Sequence, residues 1–152
     1  MNAISLTLLL SALLWAPADA VETEQTARET AADLARMQGD WMVTSMKVNG
    51  LKHEQQEAES LFRTIRGENF TVSRYSRMLS KGTFKLDATQ SPKAIDSIVT
   101  SAPEPVTLLG IYEYDGDKLR ICNASTGKPR PKDFGCRIGS QQTLIVWEPE
   151  GK

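Results

Sequence analysis

Leu108-Leu109-Gly110-Ile111-Tyr112-Glu113-Tyr114-Asp115-Gly116-Asp117-Lys118-Leu119-Arg120-Ile121-Cys122-Asn123 is the stretch that decides the architecture. Two runs rich in aliphatic and aromatic residues, 108–114 and 118–123, flank Asp115-Gly116-Asp117. Asp-Gly suits the left-handed backbone of a tight turn, because glycine carries no Cβ penalty there. The segment predicts a β-hairpin, and period-two patterning becomes the template for what surrounds it.

Upstream, the same pattern recurs at short spacing. Ala94 to Thr100 carries Ile95 and Val99, and Gly82 to Leu86 precedes it. Leu61 to Arg66 and Phe70 to Ser76 stand on either side of Gly67-Glu68-Asn69. Asp40 to Val48 holds Trp41 and Val43 and ends on Asn49-Gly50, another turn signal. Leu51 to Ser60 is polar and Glu/Gln-rich, and reads as a loop with a short helix. Downstream, Gly127-Lys128-Pro129-Arg130-Pro131 is excluded from a central strand because its prolines lack an N–H. Thr143 to Glu148 is the last strand. Residues 21–36 read as a helical leader, either packed on the domain or frayed, with Ala27, Ala31, Leu34 and Ala35 near one stripe and acids early, where the helix dipole favours them.

The expected fold class is therefore all-β: about eight antiparallel strands in a domain spanning 37–149, with a short N-terminal helix. Strands in sequence order suit an up-and-down barrel or a small sandwich, and periodicity does not choose between them. An eight-stranded barrel has an interior just wide enough for side chains or one small ligand.

Composition removes some functions. The chain has 152 residues, enough for one domain with a core of its own. It carries 18 basic and 19 acidic residues and no basic run, so a nucleic-acid partner is not expected. Residues 1–20 read as a secretory signal, with an apolar stretch from Ile4 to Ala16 and small residues in Ala18-Asp19-Ala20. About 13 apolar residues are too few to span a bilayer, so no transmembrane segment is expected after cleavage, and the mature chain is expected in the periplasm, at the cell surface or outside the cell. Cys122 and Cys136 are the only cysteines. In an oxidising compartment they are a disulfide candidate, and two buried thiols that never meet are the other reading.

Leu34 to Trp41, Gly82-Thr83-Phe84-Lys85-Leu86-Asp87, Pro92-Lys93-Ala94-Ile95-Asp96, the hairpin Leu109 to Cys122, and Gly127 to Pro131 with Phe134 together resemble the lipocalin-like domain abundant in planctomycete bacteria. That family has no assigned activity. The resemblance covers about Leu34 to Trp147 and implies a lipocalin-like barrel in an exported protein. In lipocalins an Arg beyond the last strand stacks on the Trp that Trp41 resembles. Here only Glu148 to Lys152 follow Trp147, which leaves Arg130 or Arg137 to substitute. Cys136 stands where the resemblance implies a small or polar residue, which favours a bridge particular to this chain.

Catalytic chemistry finds little support in the residues. The one histidine, His53, lies in the polar loop, and His53-Glu54-Gln55-Gln56-Glu57 lacks the second histidine of a zinc-protease helix. No metal or cofactor is expected. Asp96, Glu113, Asp115 and Asp117 are the carboxylates that an acid–base pair would use, but the last two are explained by the turn. Asn69-Phe70-Thr71 and Asn123-Ala124-Ser125 match the glycosylation pattern, which matters only in a eukaryotic secreted chain. The expected function is a non-catalytic barrel that holds a small apolar or amphipathic ligand, with Trp41, Phe84, Ile111, Tyr112, Leu119 and Arg130 as candidate contacts. A barrel packed shut, acting through an envelope protein partner, is the alternative, and a carboxylate-dependent hydrolase is the third reading.

Overall fold

Helix α1 (Ala18–Met37) runs straight into strand β1 (Gly39–Val48), and the chain turns between them at Gly39 with φ 119°, a conformation glycine adopts without strain. The computed structural model describes residues 18–53 and 60–151. The signal read at 1–20 lies outside them except for its last three residues, which open α1. The short helix expected within 51–60 falls largely on residues 54–59, which also lie outside.

The remaining strands are β2 (Leu51–Lys52), β3 (Leu61–Arg66), β4 (Asn69–Arg74), β5 (Arg77–Asp87), β6 (Ala94–Val99), β7 (Val106–Asp115), β8 (Lys118–Ala124) and β9 (Gln142–Pro149). Each long strand pairs antiparallel with its neighbours in sequence order, and β1 pairs with β9 as well as β3. The sheet is thus a closed eight-stranded barrel. The two-residue β2 lies against the far end of β1. Among the described strands, closure leaves no long edge open to another chain.

Inward positions follow the period-two reading. Trp41, Val43, Ile65, Phe84, Ile95, Tyr112, Leu119, Ile121 and Trp147 form one buried cluster, which Met37 of α1 joins. The helix closes one end of the barrel. Trp41 donates Nε1–H to the Met37 carbonyl at 2.8 Å. The Gln38 side-chain amide meets both backbone groups of Gly67 in the β3–β4 turn, at 2.6 and 3.0 Å. Arg36 lies over the Tyr114 ring, 3.8 Å from its centroid. The helix is therefore a plug built into the fold rather than a loose leader.

A second, smaller core lies outside the barrel wall. Ile111, Cys122 and Leu144 are cross-strand neighbours on the outer face of β7, β8 and β9. The connection 125–141 folds back over them and contributes Phe134 and Cys136. The candidate disulfide is not formed: Cys122 and Cys136 are both buried free thiols. Each sulfur has another neighbour, Cys136 the Gln142 and Lys47 carbonyls at 3.3 and 3.6 Å, and Cys122 the Gln142 side-chain oxygen at 3.9 Å. They serve as small apolar fillers under the connection.

Candidate functional site

The closed half of the barrel is packed, and the other half is not. A cavity of about 410 Å³ begins above Trp147 and Phe70 and reaches the barrel end where β8 runs into Ser125 and Thr126. Its walls are apolar at Val72, Val99, Leu108 and Ile145. Hydroxyls of Ser80, Ser97 and Thr143 interrupt them. This is the balance of apolar wall and a few polar groups that small-molecule sites usually show.

Arg63 dominates the floor. It sits mid-way along β3 between Leu61 and Ile65, and all three face inward. Only 5% of it is exposed. Its guanidinium carbon lies 4.5 Å from the Phe70 ring centroid, 5.8 Å from Phe84 and 5.9 Å from Trp147. Aromatic faces attract a cation but do not accept its hydrogen bonds in the plane of the guanidinium. Nε and Nη2 of Arg63 have no hydrogen-bond partner among the described residues. The Trp147 indole N–H and the Asn123 side-chain oxygen, from two residues that line the cavity, are likewise buried without partners among the described residues. Burial alone lowers the Arg63 pKa to about 10, so the group stays cationic at neutral pH. No carboxylate lines the cavity among the described residues. Nearer the mouth, Arg74, paired with Leu61 across β3 and β4, leaves its Nε buried and unpaired as well.

No family model, curated protein or solved structure matches this chain. The site must therefore be read from its own residues.

The residues expected to contact a ligand are divided among three places. Trp41, Tyr112 and Leu119 belong to the packed half beneath the cavity, and Phe84 lies under Arg63. Ile111 faces outward into the small core under the connection, because it is one residue out of step with Gly110 and Tyr112. Arg130 lies on the outer wall. Its Nη1 donates to the Gly110 carbonyl at 2.7 Å and forms an ion pair with Asp96 at 2.6 Å, which pins the Pro-rich segment to β6 and β7. Arg137 pairs with Asp133 in the same connection, so neither arginine reaches Trp41. Trp41 instead has its indole N–H bonded to the Met37 carbonyl of α1.

The two carboxylates weighed as an acid–base pair are held by different arginines on the outside, Asp96 by Arg130 and Glu113 by Arg120. Arg120 also covers the Phe134 ring at 4.9 Å. The residue the sequence reading passed over is Arg63, although the signal was present. In Leu61-Phe62-Arg63-Thr64-Ile65 the alternation places Arg63 on the same face as Leu61 and Ile65. A charge on the core face of a strand marks a site worth inspecting.

Proposed function

We propose that this chain is an exported, non-catalytic binding barrel of lipocalin-like kind, which holds one small apolar or amphipathic molecule in its open half. The observation that carries the reading is the 410 Å³ cavity, whose lining joins apolar walls to buried polar groups left without partners. A cavity kept only as a packing defect would be apolar and dry, because unsatisfied buried polar groups destabilise the fold by about 1–3 kcal/mol each. The packed lower half and the helical plug supply a rigid wall, so little ordering is needed on binding. Export rests on the signal-like segment 1–20 and on the resemblance to exported barrels. No described helix is long and apolar enough to cross a membrane.

Native mass spectrometry of the protein purified from its own host tests the reading. A reproducible added mass that leaves on denaturation is the expected result. A bare chain that also fails to take up neutral apolar probes added in excess would remove it.

A second reading has one observation of its own. Tyr75, Met78 and Leu79, on the hairpin of β4 and β5, are 77%, 51% and 47% exposed, an apolar cluster of the sort that marks contact surfaces. It would make the barrel an interaction module in the cell envelope. Crosslinking in the native envelope, with and without Tyr75→Ser and Leu79→Ser, separates the two readings.

A further inference from the structure

We infer that Arg63 is the anchor for a single anionic head group, so that the cavity selects amphipathic monoanions of the aliphatic carboxylate type over neutral molecules of equal size. The inference rests on the binding-barrel reading and adds the chemical class of the ligand.

Three features of the site lead there. The first is unspent donor capacity beside the cavity: Arg63 and Trp147 both line it, and Arg63 Nε and Nη2 and the Trp147 indole N–H are buried and unpartnered among the described residues. A carboxylate accepts on two oxygens and matches the guanidinium fork, which an alcohol or an amide does not. The second is the missing counter-charge. A buried cation is ordinarily paired with a carboxylate of its own protein, whereas the lining of this cavity has none among the described residues. Three other arginines of the barrel wall do follow the ordinary rule, Arg66 with Asp40, Arg120 with Glu113 and Arg130 with Asp96. The third is polarity along the depth. The charged group is at the floor, among Phe70, Phe84 and Trp147, and the walls above it carry Val72, Val99, Leu108 and Ile145 among uncharged polar side chains. A head-down, tail-up amphipath fits that order, and one cation on the floor fits one negative charge.

The rings explain how the fold tolerates a charge at this site. Three aromatic faces stabilise the guanidinium without using the N–H groups that an anion would take. Arg63 is thereby held in a fixed position before ligand arrives.

The test compares decanoate with decan-1-ol by isothermal titration on the full mature chain, for the wild type, Arg63→Met and Arg63→Lys. The wild type is expected to bind decanoate about tenfold or more tighter than decan-1-ol at neutral pH, the range of a hydrogen bond to a charged group. Arg63→Met should lose that preference while keeping decan-1-ol binding, and Arg63→Lys should keep part of it. Arg63→Met is also expected to melt at or above the wild-type temperature without ligand, since an unpaired buried charge is removed. Equal affinity for the two probes in the wild type overturns the inference even if no variant folds, and leaves the binding-barrel reading standing. A preference that survives in Arg63→Met overturns it too, and assigns Arg63 to structure. Binding of neither probe removes the barrel reading itself.

Discussion

The phenol of Tyr112 on β7 donates to Oδ2 of Asp33 on α1 at 2.9 Å, and Lys93 reaches the same oxygen at 2.6 Å. Tyr112 is fully buried, so the helix does more than cover an end of the barrel. It supplies the acceptor that the barrel's own tyrosine lacks. The Tyr114 hydroxyl donates to the Asp33 carbonyl at 3.3 Å, which adds a second tie to the same turn of the helix.

Replacing Asp33 by Ala should accordingly destabilise the fold more than replacing Tyr112 by Phe. Asp33→Ala strands a buried hydroxyl, at a cost of about 1–3 kcal/mol, while Tyr112→Phe removes donor and demand together, at about 1 kcal/mol. Little is expected from Lys93 beyond this, since its side chain is more than a third exposed and water screens the pair. Urea unfolding of both variants gives the comparison. Equal stability of Asp33→Ala and wild type would mean that the helix is not part of the folded unit.

The same contact sets an alkaline limit. Burial raises the pKa of Tyr112, with the hydrogen bond and negative charge of Asp33 adding to it, and burial raises that of Tyr114. For a phenol whose folded pKa is raised, the unfolded chain releases the proton first. The stabilisation is complete below the unfolded value near 10 and is lost as pH rises beyond it. Unfolding free energies measured from about pH 8 to about pH 11 should fall at the upper end. A Tyr112→Phe/Tyr114→Phe double variant should fall less steeply, and an identical slope would rule out these two groups.

Gly82 and Gly110 are required by space rather than by turn geometry. A Cβ on Gly82 would lie 1.9 Å from the Ile98 carbonyl oxygen, and one on Gly110 would lie 2.2 Å from the Asn123 side-chain oxygen. The first obstacle is backbone and the second a side chain in the cavity lining. Gly82→Ala is therefore expected to cost the more, above the 1–3 kcal/mol or so of ordinary overpacking, because a strand must move. Gly110→Ala should displace Asn123 and fall within that range. Thermal melts of the two variants give the order, and a Gly82→Ala protein as stable as wild type would contradict the close approach of β5 to β6.

How far the sequence carried the reading depends on whether local chemistry and tertiary demand agreed. At Asn49-Gly50 they did: both residues take positive φ, 52° and 84°, and the turn falls where the dipeptide places it. The hairpin of β7 and β8 agrees in the same way around Gly116. The start of β5 was missed. Tyr75 and Ser76 form its turn at φ 46° and 66° without glycine or asparagine, which the turn rules do not anticipate. The adjacent exposed Met78 and Leu79 then break the alternation, and a bulge beside Val72 and Ser73 shifts the register again. The site was less legible than the fold for a different reason. Period two says which residues face inward but not which end of the barrel is filled. That depends on α1 plugging one end, and the contacts that seat the helix, among them those of Asp33, Arg36 and Met37, exist only in three dimensions.

The two thiols give a prediction that bears on compartment as well as structure. Burial, with Cys136 nearby, pushes the Cys122 thiol up to about 12, so almost no thiolate is present near neutral pH. In the folded protein iodoacetamide at about pH 8 should modify it far more slowly than a free cysteine, whose pKa is about 8.5. In denaturant without reductant both cysteines should be alkylated, and the intact mass should show two adducts. Substituting Cys122 by Ser should destabilise modestly, by placing a hydroxyl against Ile111 and Leu144, and reductant should leave the wild-type melting temperature unchanged. Protein recovered from an oxidising compartment that takes up no label until it is reduced would show that Cys122 and Cys136 bridge there.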